Sequence, residues 1–324
     1  MSFVAQHILG GFAEKQVTAP VWDLILKHRV LGFTLFSRNF DSAEHLRSLN
    51  EELQALATQA GYTLLLAVDQ EGGRVRRLPQ PYTPVSAMRG YGERFLATNS
   101  ADEVYQLGRL LGREVKDAGF NLNFAPVVDV DLNPQSPVIG DRSFSDDPEV
   151  VATLSAQIVR GLWDEGVQAC LKHFPGHGAT EADSHFELPV DRRSLDDIRK
   201  TDLIPYQKLI AQNLAPSVMT AHVLYPEIDP ERPATLSKKI IHDILRGEMG
   251  YEGIIFSDDL RMKAIHDHHD LADASELFFN IGGDVVLICN EAELILDVVE
   301  KLQTRDLNLL QQRQRLCEFL SFCK

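Results

Sequence analysis

The chain has 324 residues, 44% of them hydrophobic and 24% charged, with a formal net charge of −15. That composition is soluble, globular and long enough to bury a large core. An acidic excess of this size disfavours a nucleic-acid partner, whose phosphates need a basic surface.

The opening MSFVAQHILGG has no basic n-region, and Gln6 and His7 interrupt its apolar run, so it does not read as a signal peptide. HILGG (7–11) reads as a first strand and LGFTLF (31–36) as a second. DSAEHLRSLNEELQALATQA (41–60) follows, with an Asp cap and leucines at 46, 49, 53 and 56 on one helical face. YTLLLAV (62–68) is a third strand; its LLLAV is far too short to span a bilayer. After it come the loop DQEGGRVRR (69–77) and a helical stretch at 101–118. LNFAPVVDV (122–130) leads into DLNPQSPVIGDRSF (131–144), then a helix over 147–166 with Asp147 before Pro148 and Gly166 at its end. VQACLKH (167–173) opens into KHFPGHGATEADSH (172–185), and helical pattern resumes over 194–213. PSVMTAH (216–222) ends in His222, GIIFSDD (253–259) runs into SDDLRM, and DVVLIC (284–289) is the eighth strand. Helices are expected over 237–249 and 291–303 between and after these.

Eight strands, apolar on both faces and alternating with helices, predict one (β/α)8 TIM-type barrel over residues 1–324. An open doubly wound sheet would want a Gly-rich phosphate turn after the first strand, and GGFAEK matches it poorly. In a barrel, active-site groups sit at the C-terminal ends of the strands. The loops after strands three, four, five, six and seven hold the polar clusters, and all five point to one mouth. The cysteines (Cys170, Cys289, Cys317, Cys323) form no CxxC pair. They read as free thiols of a reducing compartment, so a cytoplasmic protein is expected.

Two motifs can carry chemistry. Asp258 and Asp259 end the seventh strand; alternation puts them on opposite sides, so one carboxylate is expected to face a substrate. Taken alone, an SDD also serves as a helix cap. In ADSH, Asp183 stands two residues before His185; holding one imidazole nitrogen would fix the tautomer and make His185 a general acid and base near neutral pH. Gly176 and Gly178 suggest an unusual backbone path and movement of this loop. His173, His177, Asp183 and His185 could instead hold zinc, but the spacing fits no helical pair and Lys172 would repel a cation. HDHHD (266–270) reads as a solvated helix start. Arg74, Arg76, Arg77, Arg142 and Lys172 make the mouth basic, suited to hydroxyls or carboxylates. Lys172 and His173 alternate, so both reach one ligand only where the strand ends or twists between them.

KHFPGHG…DSH together with DQEGGRV, SPVIGDRSF and FSDDL resembles glycoside hydrolase family 3, and within it the bacterial cytoplasmic β-N-acetylglucosaminidases. The resemblance runs from the first strand to the eighth. It implies a retaining two-step mechanism with a covalent glycosyl-enzyme. Asp258 matches the nucleophile, His185 the acid/base and Asp183 its partner. Asp69, Arg77, Arg142, Lys172 and His173 match residues that bind N-acetylglucosamine. No metal, no cofactor, no nucleic-acid or membrane partner and a monomer are expected. The implied substrate is a small muropeptide, N-acetylglucosamine linked to 1,6-anhydro-N-acetylmuramic acid with or without a stem peptide. The chain departs from the family pattern at KAIHDHHD and NIGGDVVLICN, where Gly283 replaces a cysteine; neither touches a carried-over catalytic residue, and both are expected to lie where leaving-group or neighbour contacts change. Other readings are a β-glucosidase, a phosphorylase, a metal hydrolase or an inactive sugar-binding module. The intact Asp258, Asp183 and His185 argue against the last.

Overall fold

All eight expected strands are present in the computed structural model, which describes residues 3–134, 136, 138–180 and 188–322. They are β1 (Ile8–Gly10), β2 (Gly32–Thr34), β3 (Leu65–Val68), β4 (Leu122–Asn123), β5 in two pieces (Gln168–Ala169 and Leu171–Phe174), β6 (Ser217–Thr220), β7 (Ile254–Asp259) and β8 (Val285–Ile288). Every neighbouring pair is parallel. The first piece of β5 pairs with β4 and the second with β6, which closes the ring. The 122–130 stretch forms only a two-residue ladder, because Pro126 has no N–H to give to a neighbour. The chain nevertheless continues beside β5, with Val128 N–H donating to Lys172 O at 2.8 Å.

The strands are apolar on both faces because they serve two cores. Leu9, Leu65, Ala67, Leu122, Ile254, Phe256, Val285 and Leu287 fill the barrel. The residues between them, Ile8, Leu66, Val68, Ile255 and Val286, pack outward against the helices. This is period-two alternation around a closed sheet.

The helices follow the expected positions with local differences. The 41–60 helix spans Ala43–Gln59, and its cap is Ser42, whose Oγ accepts His45 N–H; Asp41 instead pairs with Lys15. Asp147 caps Pro148–Asp164 as expected. The 194–213 stretch is two helices, Leu195–Lys200 and Leu203–Ala211. The helix start expected at 266–270 is there, with Asp270 capping Leu271–Asn280, while helices Met88–Thr98 and Leu310–Ser321 were not expected. The last of these closes the end of the barrel away from the strand C-termini. Its Leu316 and Phe319 join the inner core, and the Phe319 ring stands edge-on to Phe256 at 6.2 Å. Phe319→Ala should therefore lower unfolding stability by about 3–5 kcal/mol, the usual cost of emptying a buried aromatic site. Urea denaturation reads this directly, and a loss below ~1 kcal/mol would mean that the helix does not plug the barrel.

Candidate active site

The strand ends meet around a cavity of about 190 Å3. Asp69, Arg77, Arg142, Lys172, His173 and Asp258 all line it, so six of the eight expected site residues come together. The other two, Asp183 and His185, lie outside the described residues.

Local chemistry sets each position. Gln70 is buried just past β3; its N–H donates to Asn123 Oδ1, and Asn123 Nδ2 donates back to Gln70 O, each at 3.0 Å. Gln70 Oε1 then accepts the N–H groups of Arg77 and Leu78, which folds the 69–78 loop back over the mouth. Arg142 ends a short turn, Gly140–Arg142, after β4. Lys172 and His173 lie on the second piece of β5, where the expected break in alternation occurs. The ladder to β6 shifts register between Lys172 and Phe174, and the 172–173 peptide is cis.

The polar groups form a continuous line of ion pairs, Asp69–Lys172–Glu71–Arg142. Lys172 Nζ sits 2.7 Å from Asp69 Oδ1 and 2.6 Å from Glu71 Oε1. Arg142 donates to both Glu71 oxygens at 2.8 Å, a bidentate pair. The Lys172 and Glu71 side chains are each only 3% exposed. Burial opposes the charge on Glu71, but Arg142 and Lys172 together hold its carboxyl well below the usual range. Burial likewise opposes the charge on Lys172, while Asp69 and Glu71 outweigh it and raise the ammonium. Glu71 escaped the sequence reading; its signal was an acid two residues past Asp69 in an arginine-rich loop.

Asp129, also not anticipated, organises the next segment. It accepts His173 N–H and, at 2.7 Å, His177 N–H, and its Oδ2 lies 2.7 Å from His173 Nδ1. Burial opposes its charge, yet the His173 contacts and the His177 N–H keep it below the usual carboxylate range. His177 lines the cavity, and burial together with His173 pushes its imidazole down to about 4.

Some expectations change. Asp258 and Asp259 both border the cavity, because the β7–β8 ladder is irregular between Phe256 and Asp259. Asp259 is the anchored member: its Oδ1 accepts Arg261 N–H at 3.0 Å and Cys289 N–H at 3.1 Å. Burial pushes its carboxyl up to about 6 despite these two bonds. Asp259 N–H donates to Asp258 Oδ1 at 2.8 Å, orienting the outer carboxylate. His222 stands behind the site, its Nε2–H donating to Asp259 O at 3.0 Å. Gly176 and Gly178 are close-packing positions. A Cβ on Gly176 would fall 2.2 Å from Asp202 Oδ1, and one on Gly178 would fall 1.8 Å from Val130 O. A bulkier residue at Gly176 would thus disturb packing whether or not the loop moves. Gly283 lies before β8, against the Phe278 ring and away from the mouth, so it touches no leaving group. His266 ends a short helix, Asp270 caps the next, and neither His268 nor His269 lines the cavity. Among the described residues no group of three His, Cys, Asp or Glu is placed to hold a metal ion.

The profile of the glycosyl hydrolase family 3 N terminal domain matches residues 8–319. A beta-hexosaminidase of Bordetella avium is 43% identical over 281 residues, 86% of this chain and 79% of that protein. One from Pseudomonas aeruginosa is 41% identical over 292 residues, 89% of this chain and 85% of that protein. Among solved structures, a glycoside hydrolase family 3 beta-N-acetylglucosaminidase from Paenibacillus sp. superposes with a TM-score of 0.93 at 34% identity. That match covers 99% of this chain, which spans only 62% of the Paenibacillus protein. NagZ from Neisseria gonorrhoeae, in complex with N-trifluoroacetyl-D-glucosamine, superposes with a TM-score of 0.87 at 35% identity over 97% of this chain and 89% of its own.

The buried ion pairs make a stability prediction. Glu71→Gln leaves Arg142 and Lys172 short of a buried anion and should cost about 3–5 kcal/mol. A carboxyl depressed in the folded state stabilises above its unfolded pKa, and the benefit disappears as pH falls. The gap between wild type and variant should thus be full near neutrality and shrink below the ordinary value of 4.5. A gap independent of pH between 7 and 3 would contradict an ionised Glu71.

Proposed function

The chain belongs to glycosyl hydrolase family 3, and from that premise we propose that it is a retaining β-N-acetylhexosaminidase. In this reading it removes non-reducing terminal N-acetylglucosamine from peptidoglycan turnover fragments in the cytoplasm, as a monomer, without metal or cofactor. No helix among the described residues is long and apolar enough to cross a membrane. The observation that carries the reading is Asp258 at the C-terminal end of β7, in a cavity that also presents Lys172, Arg142, Arg77 and His173.

Those groups are what a pyranose needs. Sugar hydroxyls take hydrogen bonds from Lys172, Arg142 and Arg77 and give them to Asp69. The cavity is smaller than the roughly 300–1,000 Å3 that hold drug-sized ligands, so it suits one sugar ring. The solved relative holding an N-acylated glucosamine supports N-acetylglucosamine for that ring. Asp258, oriented by the Asp259 N–H, attacks the anomeric carbon and forms the glycosyl-aspartate. Retaining glycosidases usually place a second carboxyl across the bond as acid. Asp259 is a poor candidate, since it adjoins the nucleophile and both Arg261 and Cys289 engage one of its oxygens. That favours His185, steadied by Asp183, as the group that protonates the leaving oxygen and then activates water.

The rim supports an acidic leaving group. Arg38 lies 4.3 Å and Arg77 6.0 Å from the ring of Phe36, which lines the cavity. Burial lowers the Arg38 pKa, Cys289 and Asp259 raise it, and Arg77 lowers it again. Two cations on one ring, in a chain of net charge −15, fit a carboxylate-bearing leaving group.

Two experiments test this. Wild type should hydrolyse 4-nitrophenyl N-acetyl-β-D-glucosaminide, be indifferent to chelator and release free sugar without needing phosphate. Asp258→Ala should lose on the order of 10³-fold or more in kcat. Activity that survives in Asp258→Ala, or that chelator abolishes, would end the covalent-aspartate reading. Arg38→Gln should weaken kcat/KM on N-acetylglucosaminyl-1,6-anhydro-N-acetylmuramic acid about tenfold more than on neutral di-N-acetylchitobiose. Equal losses on both would remove Arg38 from leaving-group recognition.

A further inference from the structure

His173 faces the cavity and has two ring nitrogens, and the structure determines which is committed elsewhere. The Asp129 side chain is fully buried, and its Oδ2 lies 2.7 Å from His173 Nδ1. A carboxylate only accepts, so Nδ1 carries a proton and donates it to Asp129. Nε2 is then the nitrogen left for a ligand. The second imidazole in the same segment is fully buried at Nε2, which has no hydrogen-bond partner among the described residues. Thr180 Oγ1 donates to His177 O at 2.9 Å, so the 2.7 Å contact between Thr180 Oγ1 and His177 Nδ1 uses the imidazole proton. The His177 ring instead stands edge-on to His173, with centroids 5.9 Å apart.

The same carboxylate holds the backbone. It takes His173 N–H at 3.2 Å and His177 N–H at 2.7 Å. Those two residues bracket Phe174, Pro175 and Gly176, and Tyr225 Oη donates to the Gly176 carbonyl from the far side. One buried anion thus fixes the rotamer, the proton and the backbone position of a cavity-lining imidazole.

We propose that Asp129 is a positioning residue for substrate: it keeps the His173 proton on Nδ1 and presents Nε2 to a hydroxyl of the sugar in the cavity. This rests on the reading of the cavity as a sugar site. A hydroxyl can give or take a hydrogen bond, so it suits Nε2 whether or not that atom also carries a proton. The role differs from that of an acid or base, because Asp129 has no path to the reacting bond except through His173.

The first test needs no variant at 129. Protein labelled with 15N-histidine gives imidazole correlations, with the His173 signal identified by its loss in His173→Gln. Nδ1 should be protonated near neutral pH. A His173 with a bare Nδ1 overturns the proposal. In Asp129→Asn, the amide oxygen can still accept a backbone N–H while its NH2 turns to Nδ1. The His173 proton should move to Nε2, and KM for the chromogenic glucosaminide should rise about tenfold with a smaller change in kcat. A folded Asp129→Asn protein with unchanged KM and an unmoved proton also overturns it. If the cavity is not a sugar site, the wild-type spectrum still shows the Nδ1 proton but no glucosaminide is turned over, which separates the two failures.

Discussion

Lys172 carries its charge almost wholly out of water, and the mouth of the barrel is arranged around that fact. A buried ammonium persists only if anions and hydrogen bonds replace its lost hydration. Asp69 and Glu71 do so at 2.7 and 2.6 Å, and Glu71 in turn needs Arg142. This line of ion pairs joins the end of β3, the loop after β4 and β5 at the top of the barrel. Because each member is held by another, none must reorganise when a ligand arrives. Fixed donors of this kind are what preorganised stabilisation requires.

The segment after β5 obeys the same rule with different chemistry. Its glycines are there for contact: Asp202 and Val130 come so close that no Cβ fits. Asp129 takes two of its N–H groups, Tyr225 donates to one of its carbonyls, and Asn133 N–H donates to Gly178 O at 3.0 Å. The chain is therefore held firmly up to Thr180, just before the stretch that carries Asp183 and His185.

What was legible in the sequence follows from what is local. The strands were visible because a closed parallel sheet is apolar on both faces, and the mouth was visible because polar clusters followed each of them. The partners were not visible, since they depend on contacts between distant segments. Lys172 meets Asp69 across 103 positions, Arg142 meets Glu71 across 71, and His173 meets Asp129 across 44. Simple alternation failed at 258–259, where the ladder loses its register at the strand end, and the neighbouring pair at 172–173 reaches one cavity for the same reason. The C-terminal helix was missed because Leu316, Phe319 and Leu320 give it a narrow apolar stripe amid glutamines and arginines.

The concentration of carboxylates at the mouth bears on why a histidine would serve as acid and base. Asp69, Glu71, Asp129, Asp258 and Asp259 already crowd this end, and burial raises Asp259 to about 6 even with two N–H donors. Another carboxylate facing the leaving group would add like charge to a place where one acid already resists ionising. It would also repel the acidic fragment that Arg38 and Arg77 are proposed to draw in. An imidazole delivers a proton without leaving an anion behind, and so keeps the rim attractive to the fragment. On the proposed function, the acid/base is a histidine because the electrostatics of the mouth leave little room for another carboxylate.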